Sequence, residues 1–228
     1  GIPNIGFTGD CFFSPIFIDK EYADYQFSIM AIDPSGRGGD EMGYAIIKYL
    51  HGKLYVVDCG GLEGGYHENN LVRLAVLAKE NKVDTIYIES NFGDGMFQEL
   101  LKPVLIKIHP CGIEEIRSSK QKEMRIIDTL EPLLNQHRLV FDKGLLIKDI
   151  QGALEDPMKL PYSLVYQLTH ITKQRGCLRH DDRLDALAMC AAALVEMMGV
   201  DEGELVSNYK EEQLTQVLED WVDSNKDS

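Results

Sequence analysis

Apolar positions fall into short continuous runs in the first half of the chain and into helical stripes in the second. FSIMAID (27–33), YAIIKYL (44–50) and KLYVVDC (53–59) are apolar runs of strand length. His51-Gly52 between the last two fits a tight hairpin turn, so the three strands are expected to be antiparallel. LVRLAVLAKEN (71–81) has helical period, DTIYIES (84–90) reads as a strand, GMFQELL (95–101) as a short helix and PVLIKIH (103–109) as a fifth strand. The order β-β-β-α-β-α-β predicts a mixed sheet whose last strands are joined by helical crossovers.

SSKQKEMRIIDTLEPLLNQ (118–136) predicts a helix with Ser118 or Ser119 as N-cap and a stripe of Ile126, Ile127, Leu130, Leu133 and Leu134. A strand is expected near RLVFD, followed by an irregular stretch over 142–161 that is long for a connection and suited to covering a site. Helices are expected over 163–172 and 180–198, and an acidic amphipathic one over 213–222. Residues 1–25 are irregular and lack an initiator methionine. They read as a linker or edge segment from something upstream, with a globular body over 26–200 and a tail over 201–228.

The net charge of −14 opposes simple coating of nucleic acid. Residues 201–228 hold nine acids and two lysines, net −7, so half of that charge belongs to the tail. Within the body, Arg117, Lys120, Lys122 and Arg125 gather basic charge; Lys120, Lys122 and Arg125 are the candidates for gripping DNA phosphates. Five scattered cysteines without a Cys-x-x-Cys pair fit a reducing compartment and indicate neither a disulfide framework nor a zinc ribbon. No apolar run of about eighteen residues predicts a membrane span.

The candidate chemistry is carboxylate chemistry. Asp33 ends the first buried strand, ahead of Pro34, Ser35 and the glycines Gly36, Gly38 and Gly39. Those glycines have no following Lys-Ser/Thr and lead into a strand, so neither a phosphate-cradling P-loop nor a dinucleotide loop fits. Glu89 ends a second apolar strand, where a carboxylate needs a reason because burying it unpartnered is costly. Asp181, Asp182 and Asp185 crowd one helix start, more acid than capping requires. Spacing places Asp185 on one face with either Asp181 or Asp182. His180 beside them reads as a cap rather than a ligand, and Asn91 and Asp94 follow Glu89 in a turn.

If these acids converge, a divalent cation relieves their repulsion. Oxygen-only ligands select magnesium or manganese, and two such ions about 4 Å apart serve phosphodiester cleavage.

The words AIDPSGRGGDEMGYAI, YIESNFGDGMF, SSKQKEMRIIDTLEPLL and RHDDRLDALAMC, in that order over residues 28–195, resemble the nuclease domain of the large terminase subunit of tailed double-stranded DNA phages. That family belongs to the RNase H / RuvC-like superfamily. The resemblance implies an α/β fold with a mixed sheet of about five strands flanked by helices. It implies Asp33, Glu89 and Asp182 as the catalytic acids, two Mg2+ or Mn2+ ions held by these with Asp181 and Asp185 close by, and cutting of concatemeric viral DNA during packaging.

It further implies an ATPase domain upstream, portal, prohead and small-subunit partners, and work in the host cytoplasm; this stretch alone would hydrolyse no ATP. A RuvC-like junction resolvase and a portal-docking module are the alternatives. Branched substrates separate the first, and metal-dependent plasmid cleavage the second.

Overall fold

The computed structural model describes residues 2–3, 11–12, 14–19, 24–34, 41–90, 95–117, 120–198 and 215. In chain order the elements are β1 (Ile2–Pro3), β2 (Cys11–Phe12), β3 (Ile16–Ile18), β4 (Phe27–Asp33), β5 (Met42–Leu50) and β6 (Lys53–Leu62). Then come α1 (Glu68–Glu80), β7 (Thr85–Glu89), α2 (Met96–Ile108), β8 (Gly112–Ile116), α3 (Lys122–Asn135) and β9 (Leu139–Asp142). Last are α4 (Lys143–Glu155), the 3-10 turn η1 (Pro157–Tyr162), α5 (Leu164–His170) and α6 (Asp182–Met198).

β4 lies inside a seven-stranded sheet of order β3-β9-β6-β5-β4-β7-β8, and every one of its residues is buried. Strand periodicity divides its side chains: Ile29 and Ala31 point into one apolar layer, Met30 and Ile32 into the other. Helices on both faces remove any need for polar alternation, which is why the strand reads as one continuous apolar run. α1 and α2 cover one face; α3, α5 and α6 cover the other. α6 is buried nearly all round, and its alanines Ala186, Ala188 and Ala191 let its backbone lie close on the sheet.

β4, β5 and β6 are antiparallel neighbours, and His51 and Gly52 turn the hairpin with φ of 46° and 78°, the left-handed pair such a turn requires. β7 runs parallel to β4, β8 to β7, and β9 to β6. All the strands from β4 to β9 except β5 therefore end on one edge of the sheet.

Three expectations need correction. The sheet has seven strands rather than about five, because Ile16–Ile18 and Leu139–Asp142 both join it. PVLIKIH is not a strand: α2 runs straight through Pro103 to Ile108. Phe97, Leu101 and Leu105, spaced by four, face the core, and the edge strand is the more polar GIEEI. A short apolar run carries no length information by which to tell the two periods apart.

Residues 142–161 are not irregular either. Asp142 caps α4 by accepting from the Gly144 and Leu145 amides (2.6 and 3.3 Å), and Asp156 caps η1 by accepting from Met158 N (3.0 Å). Gly144, Gly152 and two prolines mask that regularity in the sequence. α3 starts after Gln121; Ser118 and Ser119 lie outside the described residues, as do the glycine turn at 35–40 and, apart from the helical residue 215, the helix expected over 213–222. No described helix is long and apolar enough to cross a membrane.

Candidate active site

Asp33 and Glu89 end the parallel neighbours β4 and β7, so their side chains emerge side by side at the sheet edge where ligands of open α/β sheets bind. α6 brings a third carboxylate over them. One oxygen from each of Asp33, Glu89 and Asp185 lies within 4.8 Å of the others. The exposures are 8%, 8% and 0%, so the three acids share a site largely closed to water.

Two cations from α3 hold this cluster together. Lys122 Nζ lies 3.4 Å from Asp33, 3.0 Å from Asp181 and 3.0 Å from Asp185 Oδ2. Arg125 bridges Glu89 (3.2 Å) and Asp185 Oδ1 (2.5 Å). Asp185 Oδ2 is buried, with the Lys122 ammonium 3.0 Å away.

Burial, and then the nearby Asp185, Glu89 and Asp182, push the Asp33 carboxyl well above the ordinary carboxylate range, against the pull of Lys122. Burial also raises Asp185 despite Lys122 and Arg125. Burial works against the charge on Lys122, but Asp185, Asp33 and Asp181 more than offset it and raise its pKa. These directions agree once charges are counted: the acids outnumber the cations, so each cation gains while the acids stay under mutual repulsion. An oxygen-only donor set and an excess of buried negative charge fit a hard divalent cation.

The start of α6 is placed by close packing. A Cβ at Gly43, which pairs with Asp33 across β4 and β5, would run into the Asp182 carbonyl, 2.5 Å from its carbon. Leu184 N donates to Oε1 of the fully buried Gln167 (2.9 Å). Arg183 grips Glu41 with two hydrogen bonds (2.6 and 3.0 Å) and Asp149 with one (3.0 Å). Asp149 in turn accepts from Ser163 Oγ and from the Leu164 and Val165 amides, which locks α4, α5 and α6 together.

The expected residues therefore divide. Asp33, Glu89 and Asp185 converge; Asp181 pairs with Lys122; Asp182 sits with its backbone on Gly43 and is not among the three converging acids. Lys122 and Arg125 turn into the acids, whereas Lys120 is exposed. His180 stacks on Tyr162, with centroids 3.8 Å apart and planes 20° apart. Asn91 and Asp94 lie outside the described residues. Gly43, Glu41, Asp149 and Gln167 escape sequence reasoning: Glu41 and Arg183 stand 142 positions apart, and no local spacing signals such a pair. Burial pushes the thiols of Cys59 and Cys190 up, and that of Cys111 to about 12, so none of these three supplies a thiolate nucleophile at neutral pH.

Comparison with known proteins agrees with this fold. Residues 32–139 match the family described as the ribonuclease H-like domain of the bacteriophage T7 terminase. The large terminase subunit of Enterobacteria phage T3 is 43% identical over 219 residues, covering 93% of this chain; the chain spans 37% of that relative's length. Among solved structures, a human cytomegalovirus terminase nuclease domain, manganese-soaked and inhibitor-bound, superposes with a TM-score of 0.52 at 15% identity, covering 75% of this chain and 83% of its own. The large terminase of a thermophilic bacteriophage does so with 0.51 at 12% identity, covering 79% and 43%. The solved structures agree in fold, and the matched sequence places the chain in the ribonuclease H-like domain family of phage large terminases.

Proposed function

We propose that this domain is a metal-dependent endodeoxyribonuclease that cuts concatemeric viral DNA during genome packaging. The observation that carries the reading is the meeting of the buried carboxylates of Asp33, Glu89 and Asp185 within 4.8 Å at one sheet edge. Asp33, Glu89 and Asp185 would hold a first Mg2+ or Mn2+ ion, and a second would share Asp33 with the neighbouring Asp181 or Asp182. When bound, such ions activate the attacking water and neutralise charge on the leaving 3′ oxygen.

The chain's own groups prepare that site. Arg125 fixes the rotamers of Glu89 and Asp185 through one rigid fork. Lys122 balances Asp33, Asp181 and Asp185 so that the acids stay folded together before an ion arrives. Burial excludes bulk water and strengthens electrostatics within the site. In the motor, the domain works downstream of an ATPase domain in the host cytoplasm, with portal, prohead and small subunit as partners.

Nicking of supercoiled plasmid tests the reading. Cleavage is expected with Mg2+ or Mn2+ and none with chelator or after Asp33→Asn. Chelator-resistant cleavage, or an Asp33→Asn protein of near wild-type rate, refutes it.

A further inference from the structure

A second polar cleft lies beside the acids. Asp33 pairs with Gly43 and Gly43 with Gly61, so the end of β6 is two strand spacings, roughly 10 Å, from Asp33 along the same sheet edge. Over that end opens a cleft of about 420 Å³ floored by Gly60 and Gly61. Arg73 from α1, Lys148 from α4, Lys159 from η1 and Arg183 from α6 converge on it. Four separate elements thus deliver cations to one place in a chain of net charge −14.

These cations differ in how firmly they are held. Arg183 is bound by Glu41 and Asp149 and forms part of the wall. Arg73, Lys148 and Lys159 have side chains 49%, 61% and 55% exposed, facing Glu80 (4.0 Å), Asp58 (3.2 Å) and Glu63 (3.2 Å). The Arg73 and Lys159 pairs are exposed on both sides and contribute little, and Lys148 holds an exposed ammonium against the mostly buried Asp58, so all three cations can turn to another anion. Lys122 and Arg125, by contrast, are engaged by the acid cluster.

We propose that this cleft is a second phosphate-binding subsite, in which Arg73, Lys148 and Lys159 grip the backbone of duplex DNA while the acid cluster holds the bond to be cut. The inference rests on the nuclease reading. The separation suits it, since the grooves of B-DNA are about 6 and 12 Å wide and a phosphate across a groove reaches the cleft. Ammonium and guanidinium groups meeting phosphates give sequence-independent, salt-sensitive affinity.

The test compares Arg73→Ala/Lys148→Ala/Lys159→Ala with Lys53→Ala/Lys79→Ala/Lys107→Ala. The control removes the same charge from exposed lysines at the opposite end of the sheet, where β6 begins and α1 and α2 finish. Binding of a fluorescent duplex is measured across a salt series, beside the melting-temperature gain on adding Mn2+. The cleft variant is expected to bind at least about tenfold more weakly at low salt, with a log–log salt slope smaller by about 2 to 3. It should keep the Mn2+ gain, and the control should change binding less than about twofold. If the triple variant misfolds, Lys148→Ala/Lys159→Ala carries the test with a slope change of about 2.

Equal effects in cleft and control variants, or an unchanged cleft variant, overturn the subsite while wild type still binds and cuts. A wild type that neither binds nor cuts DNA with Mn2+ overturns the nuclease reading, and the subsite with it.

Discussion

Replacing Gly43 with alanine is expected to slow cleavage about 100-fold without touching a carboxylate. Gly43 lies in β5, hydrogen-bonded to β4 on one side and β6 on the other, so its own backbone has little room to yield. The added methyl would stand 2.5 Å from the Asp182 carbonyl carbon, against ordinary contact at about 3.4 Å. The start of α6 must therefore lift by about 1 Å, and Asp185 lifts with it, away from Asp33 and Glu89. Displacements of about 1 Å at a catalytic group cost on the order of 100-fold in rate.

Overpacking of this kind costs about 1–3 kcal/mol, which for a domain of this size lowers the melting temperature by roughly 2–12 °C. The assay is plasmid nicking with Mn2+, beside a thermal melt of the metal-free protein. A variant that melts lower yet cuts within about threefold of wild type would show that the β5–α6 contact does not set the position of Asp185. A variant unchanged in both would show that the helix start accommodates the methyl freely.

Asp33→Asn, Glu89→Gln and Asp185→Asn should each nearly abolish cleavage and shrink the stabilisation by Mn2+, with Asp182→Asn milder in both; the reverse order of Asp182 and Asp185 returns the third ligand to Asp182. Lys122→Met removes the cation facing Asp33 and Asp181 and leaves Asp185 to Arg125, so the metal-free protein should melt lower and gain more on adding Mn2+, as melts against metal concentration will register; an unchanged gain would remove Lys122 from the charge balance. Glu123 ties α3 to the loop before α6 by accepting from Gly176 N (2.5 Å). Burial raises its pKa, but that bond and its neighbours win and hold the carboxyl below its usual range. Its stabilisation is therefore present above about pH 4.3 and lost as pH falls through the lowered folded value. Glu123→Gln should cost about 1–2 kcal/mol at neutral pH. The gap from wild type in urea melts should narrow on acidification, and a gap independent of pH refutes the assignment.

The sequence by itself determined the parts that depend on neighbours in the chain. The run FSIMAID read as a buried strand, and His51-Gly52 supplied the left-handed pair that turns β5 into β6. Carboxylates at the ends of two such strands were visible as a conflict between an apolar setting and a charge, which placed Asp33 and Glu89 at the site.

Other features depend on phase and distance between elements. Asp181, Asp182 and Asp185 are equivalent as text, and only the rotation of α6, fixed by Gly43 beneath it and by Gln167 and Arg183 at its start, turns Asp185 toward the sheet-end acids. Lys122 and Arg125 read as candidates for gripping DNA phosphates, yet packing of α3 against α6 turns both inward onto the acids. PVLIKIH fits either period, and its choice of helix came from the apolar layer it shares with α1. Local propensity is weak beside the burial of a whole face, so where two local readings are nearly equal in energy, the partner found across the fold decides between them.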